Sequence, residues 1–233
     1  MSTDVPPSLP IFDNAKQQIA SNGLTATNDF TVDVALVLAV DCSSSVDGTD
    51  FRLQMEGIAA ALRYPLLSDA IGFGRNGRIA LALVQWSSRN SQFVAMDWQI
   101  LANRQQLEAA ARLIDKTDRM WQPGGTGLAA AVDYCTAFLE TRPVVADRQV
   151  IDVSGDGEDN DGGDTASARD RALARGITIN GLPIISGSRR IVGYYRDRLI
   201  GGPDAFLVPA KDIMAFRDSM LQKLLREVGQ QIS

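Results

Sequence analysis

Val34-Ala-Leu-Val-Leu-Ala-Val40, running straight into Asp41-Cys42-Ser43-Ser44-Ser45, is the stretch that decides the fold. An unbroken apolar run rich in Val and Leu, closed by a polar cluster, reads as a strand buried on both faces. A strand ending in Asp-x-Ser-x-Ser places one carboxylate and two hydroxyls at the same sheet edge. Residues two apart point the same way while the chain stays extended, so Asp41, Ser43 and Ser45 converge. Three hard oxygens at one point suit a small divalent cation rather than a soft or redox metal.

Outward from this strand, apolar patterning alternates between the two regular periods. Phe51, Met55, Ile58 and Leu62 recur at helical spacing, with Asp50 as the expected N-cap. Arg78 to Trp86 predicts a strand, and Ser91 to Trp98 an antiparallel edge strand paired with it. Asn103 to Asp115 predicts a helix with Leu107, Ala110 or Ala111, and Ile114 inward. Gly124-Gly125-Thr126-Gly127 opens a helix that ends near Glu140. Gln149 to Val153 predicts a buried strand, Asp164 to Arg175 a helix, Ile177 to Ile184 a strand and Ala205 to Val208 a short last strand. The closing helix carries Ile213, Phe216, Met220, Leu224 and Val228 as one apolar stripe. The expected fold is α/β and Rossmann-like. It is a doubly wound, mostly parallel six-stranded sheet with one antiparallel edge strand and helices on both faces. In such sheets ligands bind beyond the carboxyl ends of the strands, where Asp41 stands. Residues 1–30 are polar, with Pro6, Pro7 and Pro10 and a short helical patch near Asn14 to Ala20. They are expected to be an extension, leaving 31–233 as the domain.

Composition narrows the function. With 233 residues, one sizeable α/β domain fits and two would be cramped. A net charge of -5 and the short length of the densest basic spot, Arg189-Arg190, argue against nucleic acid as a partner. The chain contains no His, which excludes Ser-His-Asp and Cys-His triads and every His-containing zinc site. Two cysteines cannot make a four-thiolate zinc site. Cys135 reads as a buried thiol and Cys42 as pointing away from its neighbours, and a Cys42–Cys135 bond stays open. No apolar stretch has the length of a membrane span. The first residues lack the basic and apolar blocks of a signal peptide, so the expected compartment is cytoplasmic, or periplasmic or secreted if a leader was removed.

Two further places supply oxygen where the fold expects it. Thr126 lies in a glycine-rich loop before a helix, and Asp156 follows the strand Gln149 to Val153. Asp41, Ser43, Ser45, Thr126 and Asp156, in this order, resemble the metal-ion-dependent adhesion site of von Willebrand factor type A domains. The element order from Val32 to Gln230 fits that fold. The likeness extends to a family of bacterial, single-domain von Willebrand A-like proteins of unknown function. Val150-Ile-Asp-Val-Ser-Gly-Asp-Gly157, Ile177-Thr-Ile-Asn-Gly-Leu-Pro-Ile184, Tyr194-Tyr195-Arg196-Asp197 and Ile200-Gly-Gly-Pro-Asp-Ala-Phe206 carry it. The resemblance implies that Ser43, Ser45 and Thr126 bind the metal directly while Asp41 and Asp156 hold metal-bound waters. It implies Mg2+ as the ion, with Mn2+ or Ca2+ as substitutes, and a protein partner that offers an exposed Glu or Asp. A shell of neutral hydroxyls leaves the ion electron-poor, so it attracts a carboxylate from outside.

Many relatives have Thr-Asp-Gly where this chain has Ser154-Gly155-Asp156-Gly157, and Asp152 lies just upstream. Asp156 is the preferred ligand, because Asp152 falls inside the apolar run. The acidic loop Glu158 to Asp164 fails as an EF-hand: counted from Asp156, Asp161 and Ser167 occupy the positions that need Gly and Glu. It is expected to be a solvated charge run. Gly124 to Ala130 follows Gln122-Pro123 and not a strand, which argues against a dinucleotide loop. Of the three tryptophans, Trp121 is the best candidate for the rim of the site. The leading functional expectation is a non-enzymatic, metal-dependent protein-binding domain of adaptor or adhesion type. The alternatives are a metal-assisted hydrolase or phosphotransferase, with Asp41 or Asp156 as base, and a structural subunit with a degenerate site.

Overall fold

The computed structural model describes residues 30–120 and 124–229. The helical patch expected near Asn14 and the side chain of Trp121 fall outside them. Strand β1 (Thr31–Asp41) is flanked in parallel by β2 (Ile79–Trp86) and β4 (Val145–Gly155). Beyond β4 lies β5 (Ile177–Pro183), also parallel, and beyond β2 lies β3 (Gln92–Leu101), antiparallel. The order is β3-β2-β1-β4-β5. The chain leaves β1 towards β2 and later returns to β1's other side as β4. The strand order therefore reverses between β1 and β4, and a crevice opens there at their carboxyl ends.

The sheet has five strands with one antiparallel pair, not six strands. The segment Ala205 to Val208 makes only one isolated bridge, Leu207 with Gly181, and a second, Ala210 with Ile184, follows it. Gly202 and Asp204 hold positive φ angles just before it, and Pro209 breaks it between the two bridges, having no N–H to give.

Alternation along β1 sets the two halves of the core. Val34, Leu36, Leu38 and Val40 face one helical layer, and Ala35, Val37 and Ala39 face the other. The first layer holds α1 (Gly48–Leu62), α2 (Pro65–Gly72), α3 (Arg104–Asp115) and α7 (Phe216–Gly229). The second holds α4 (Leu128–Leu139), α5 (Thr165–Leu173) and α6 (Arg190–Tyr194), which runs on as a π-helical turn, Tyr195–Leu199. Cys42 belongs to the first half-core and Cys135 to the second. The sheet separates them, and both are free thiols.

Three local details differ from the sequence pattern. The N-cap of α1 is Asp47, which accepts from the N–H groups of Thr49 and Asp50 at 2.7 and 2.9 Å, so the helix starts earlier than expected. α2 shows no period in the sequence because it is too short; it begins at Pro65, a residue suited to the first helical position. Strand β4 is longer at both ends than its apolar core. Trp86 is buried, and Trp98 stacks on Phe138 with centroids 5.3 Å apart.

Candidate metal centre

Asp41 is the last residue of β1 and is fully buried. Its Oδ1 accepts the Ser43 N–H at 2.7 Å, which turns the chain out of the strand. Its Oδ2 is buried without a hydrogen-bond partner among the described residues. Burial pushes the Asp41 carboxyl up to about 7, the nearby Asp156 adds to this, and the Ser43 hydrogen bonds oppose it. Ser43 Oγ lies 3.2 Å from Ser45 Oγ, and Ser45 Oγ donates to Asp156 Oδ1 at 2.6 Å. Asp156 follows the end of β4, and its second oxygen accepts from Ser186 Oγ at 3.3 Å. Ser43, Ser45 and Asp156 thus form one hydrogen-bonded chain, with Asp41 hinged to it through the Ser43 backbone.

Thr126 comes from the loop before α4 and is nearly buried. It reaches the same place through Gly157: a Cβ on that glycine would lie 3.0 Å from Thr126 Oγ1. Asn160 holds Thr126 at both backbone groups, accepting its N–H at 2.7 Å and donating to its carbonyl at 3.0 Å. Gly127 must be glycine on steric grounds, since a Cβ there would sit 2.6 Å from the Arg89 nitrogen. That close approach lets Gly127 N–H bond Ser87 O at 2.7 Å and brings Thr126 over the sheet edge.

Asp152, the competitor for Asp156, points elsewhere. It is buried in β4 and meets the Lys223 ammonium of α7 at 2.9 Å. Lys223 also lies 3.8 Å from Glu227, whose carboxylate accepts from Asn180 at 2.6 Å.

The acidic loop is not a solvated charge run. Asp159 Oδ2 accepts the Ala129 N–H at 2.8 Å and so caps α4, whose own N-cap residue, Gly127, supplies no side chain. Its Oδ1 accepts from Asp161 and Gly163 N–H, and Asp161 accepts the Arg89 N–H at 2.6 Å. The loop is a brace that fixes Thr126 and the start of α4.

Sequence reasoning missed the supports beneath the site. Arg119 donates to the carbonyls of Cys42 and Ser43 at 3.0 and 2.9 Å, and Gln54 donates to Asp41 O at 3.1 Å. Gln85 holds the Asp118–Met120 segment by bonds of 2.8 and 2.7 Å. The two glutamines had a signal: each is a polar residue at a position that the apolar pattern marks as buried. Tyr195, buried on the π-helical turn, leaves its hydroxyl unpartnered among the described residues. A Cβ on Gly155 would lie 2.8 Å from Asp41 Oδ2 and 2.9 Å from Tyr195 Oη, so only glycine lets both approach. Burial, then Asp41 and Asp156, push the Tyr195 hydroxyl well above its ordinary pKa.

All the donors gathered here are hard oxygens, two carboxylates and three hydroxyls, and no group of three His, Cys, Asp or Glu accompanies them among the described residues. A buried carboxylate oxygen with no partner, beside hydroxyls free to turn their lone pairs inward, fits a small divalent cation. Asp41, Ser43, Ser45, Thr126 and Asp156 are the residues that would hold it.

Comparison with solved structures places the fold among von Willebrand factor type A domains. The proximal thread matrix protein 1 of the mussel byssus matches at TM-score 0.58 and 14% identity, over 85% of this chain and 47% of that one. The same mussel protein is also known with a zinc-occupied MIDAS motif, matching at TM-score 0.55 and 13% identity, over 85% and 47% of the two chains. A von Willebrand factor type A protein from Catenulispora acidiphila matches at TM-score 0.56 and 16% identity, over 87% of this chain and 43% of that one. The chain thus spans about half the length of these neighbours. BatB from Bacteroides thetaiotaomicron matches at TM-score 0.52 and 17% identity, over 84% and 99%. No protein of curated function matches the sequence. A family model matches residues 31–232, and the chain belongs to that family, described as protein of unknown function (DUF1194).

Proposed function

We propose that this protein is a metal-dependent binding domain that docks a partner's carboxylate on a Mg2+ held by Asp41, Ser43, Ser45, Thr126 and Asp156. The observation that carries this reading is the meeting of three loops at one point. The Ser43–Ser45–Asp156 hydrogen-bonded chain stands beside the unpartnered, buried Asp41 oxygen. A cation there would satisfy that oxygen, and the neutral hydroxyls would leave it charge to share with an incoming Glu or Asp. The zinc-bearing mussel relative shares the fold and supports a divalent ion in such a place.

Binding fits the residues better than catalysis. Asp41 and Asp156 are both committed to the centre, and Arg119, which reaches the loop after β1, is engaged with two backbone carbonyls. The chain has no His to act as a second acid or base. The test is calorimetric titration of Mg2+ and Mn2+ into the chelator-treated protein and into Asp41→Ala. One saturable site, lost in a variant that stays folded by circular dichroism, is the expected result. No ion uptake by the wild type, or equal uptake by the variant, would overturn the reading. A Mg2+-dependent phosphatase activity abolished by Asp41→Ala would replace docking with catalysis.

A further inference from the structure

Next to Asp156 the surface sinks into a cavity of about 180 Å³. Its walls are aliphatic: Val46 and Ile184 are buried, and Ile185 and Ile213 are half-buried. Its rim is acidic, formed by Asp50, Asp156 and Asp212, with Asp47 one turn earlier at the cap of α1. The exposed Met214 stands beside Ile213.

Among the described residues no Lys or Arg forms an ion pair with the carboxylates of this rim. Among the described residues Asp47, Asp156 and Asp212 accept hydrogen bonds from uncharged donors, namely backbone N–H groups and the hydroxyls of Ser45 and Ser186. Some other acids are matched by a cation: Asp115 with Arg63, Asp133 with Arg171, Asp170 with Arg169 and Asp197 with Arg196. Asp33, Asp159, Asp161 and Asp164 brace backbone N–H groups and do not line this cavity. A metal ion at the centre would offset Asp41 and Asp156 and leave Asp47, Asp50 and Asp212 uncompensated. Aliphatic walls under an acidic rim match a side chain with a long apolar stem and a cationic head. The cavity is sized for one such side chain.

We propose that this pocket receives a Lys or Arg side chain of the segment whose carboxylate docks on the metal centre. The partner would then be recognised by a Glu or Asp with a basic residue a few positions away. Asp156 belongs to both the centre and the pocket rim, so a short extended segment spans the two. The inference rests on the carboxylate-docking reading and adds a second contact that gives it specificity. A lone carboxylate would meet only an ion, while the rim charges repel an all-acidic segment.

The test is selection from a random peptide library displayed on phage, against the whole chain in Mg2+, with elution by chelator. The same selection is run on the Asp50→Asn/Asp212→Asn variant, in which the amide replacing the Asp212 carboxylate can still cap the turn that begins at Ile213. Wild-type selection should enrich peptides carrying a carboxylate and a nearby Lys or Arg. The variant should keep the carboxylate and lose the basic preference, and it should bind the wild-type-selected peptides about tenfold more weakly with Mg2+ affinity unchanged. Basic residues at library frequency, equal binding by the variant, or no enrichment at all would overturn the proposal. So would a second Mg2+ or Ca2+ equivalent taken up by the wild type and lost in the variant, which would make the pocket a cation site. Peptides that keep the basic preference in chelator, and lose it in the variant, would uphold the pocket and overturn docking on the metal.

Discussion

Asp41 and Asp152 stand on adjacent strands, both are buried, and burial raises the pKa of both. Their surroundings differ in one respect. Asp152 has the Lys223 ammonium 2.9 Å away, delivered by α7, with Glu227 and Asn180 completing the cluster. Asp41 has a backbone N–H on one oxygen and no partner on the other among the described residues. The protein neutralises the first carboxylate from within, so that charge ties a helix to the sheet. The second has no internal compensation, as expected for a group completed by something that arrives from solvent. Burial alone therefore does not single out a candidate site; a buried carboxylate without a cation beside it does.

The largest effect should come from breaking the closed side of this comparison. Lys223→Met leaves Asp152 and Glu227 buried with no ammonium, which should cost about 3–5 kcal/mol of stability. The measurement is urea unfolding of the variant beside Asp41→Ala, both in chelator. Asp41→Ala should lose little, because it removes an uncompensated charge rather than stranding one. Adding Asp152→Leu to Lys223→Met should recover most of the loss. If Lys223→Met proved as mild as Asp41→Ala, the two carboxylates would not differ as argued.

Next in size is Gly155→Ala, which acts on the open side alone. The new methyl would fall 2.8 Å from Asp41 Oδ2 and 2.9 Å from Tyr195 Oη, with Asp41 Cβ at 3.1 Å. Overpacking of this kind costs about 1–3 kcal/mol. The displaced carboxylate should lower Mg2+ affinity about tenfold. Calorimetric titration checks the affinity and urea unfolding the stability. Unchanged Mg2+ affinity would mean that Asp41 takes no part in holding the ion.

The two sides should also separate by pH. Burial pushes the Glu227 carboxyl from 4.5 up to about 7, with Lys223 and Asn180 opposing the rise. A carboxyl whose pKa is raised in the folded state stabilises the fold while protonated. That contribution is complete below pH 4.5 and is lost as pH climbs through about 7. Asp41 has the same sign. In chelator the melting temperature should therefore fall by several degrees between pH 5 and 8. Glu227→Gln should flatten part of that slope with or without Mg2+. Mg2+ should flatten the Asp41 part only, since the ion favours the charged carboxylate. A wild-type profile that Mg2+ leaves untouched would remove the distinction.

How much of this was legible beforehand follows from the range of the interactions. The end of the apolar run marked Asp41, and the glycines around Thr126 and Asp156 marked loops at the ends of elements. The two-residue period did not reach Ser43 and Ser45, because β1 stops at Asp41. A turn closed by Ser43 N–H on Asp41 Oδ1 and Val46 N–H on Ser43 O brings the two hydroxyls together. The sheet followed from alternating apolar runs, except for Ala205 to Val208, where Pro209 and the turns before it outweigh a locally apolar pattern. Lys223 and Glu227 flank an apolar stripe, as solvated residues do in most helices. Only the position of Asp152 and Asn180 under α7 makes them core. Arg119 and Tyr195 reach the site from far along the chain, and no local period reports a contact of that kind.

The smallest expected effect concerns the acidic loop, where local composition misled. Asp159 looks like one more solvated carboxylate, yet its Oδ2 caps α4 at Ala129 and its Oδ1 gathers Asp161 and Gly163. Asp159→Ala should cost about 1 kcal/mol, the usual loss when a helix N-terminus loses its side-chain cap. Because Thr126 precedes α4 directly and Asn160 follows Asp159 in the same brace, the variant should also loosen Thr126. Mg2+ affinity should fall severalfold, less than in Gly155→Ala, where the methyl meets Asp41 itself. Asp159→Asn keeps an oxygen that accepts the Ala129 N–H but turns its NH2 towards the Asp161 and Gly163 N–H donors. It should therefore restore the helix cap and not the rest of the brace. Stability should recover in part while Mg2+ affinity stays low. Full recovery of Mg2+ affinity in Asp159→Asn would mean that the cap on α4 alone positions Thr126 and that the bonds to Asp161 and Gly163 play no part.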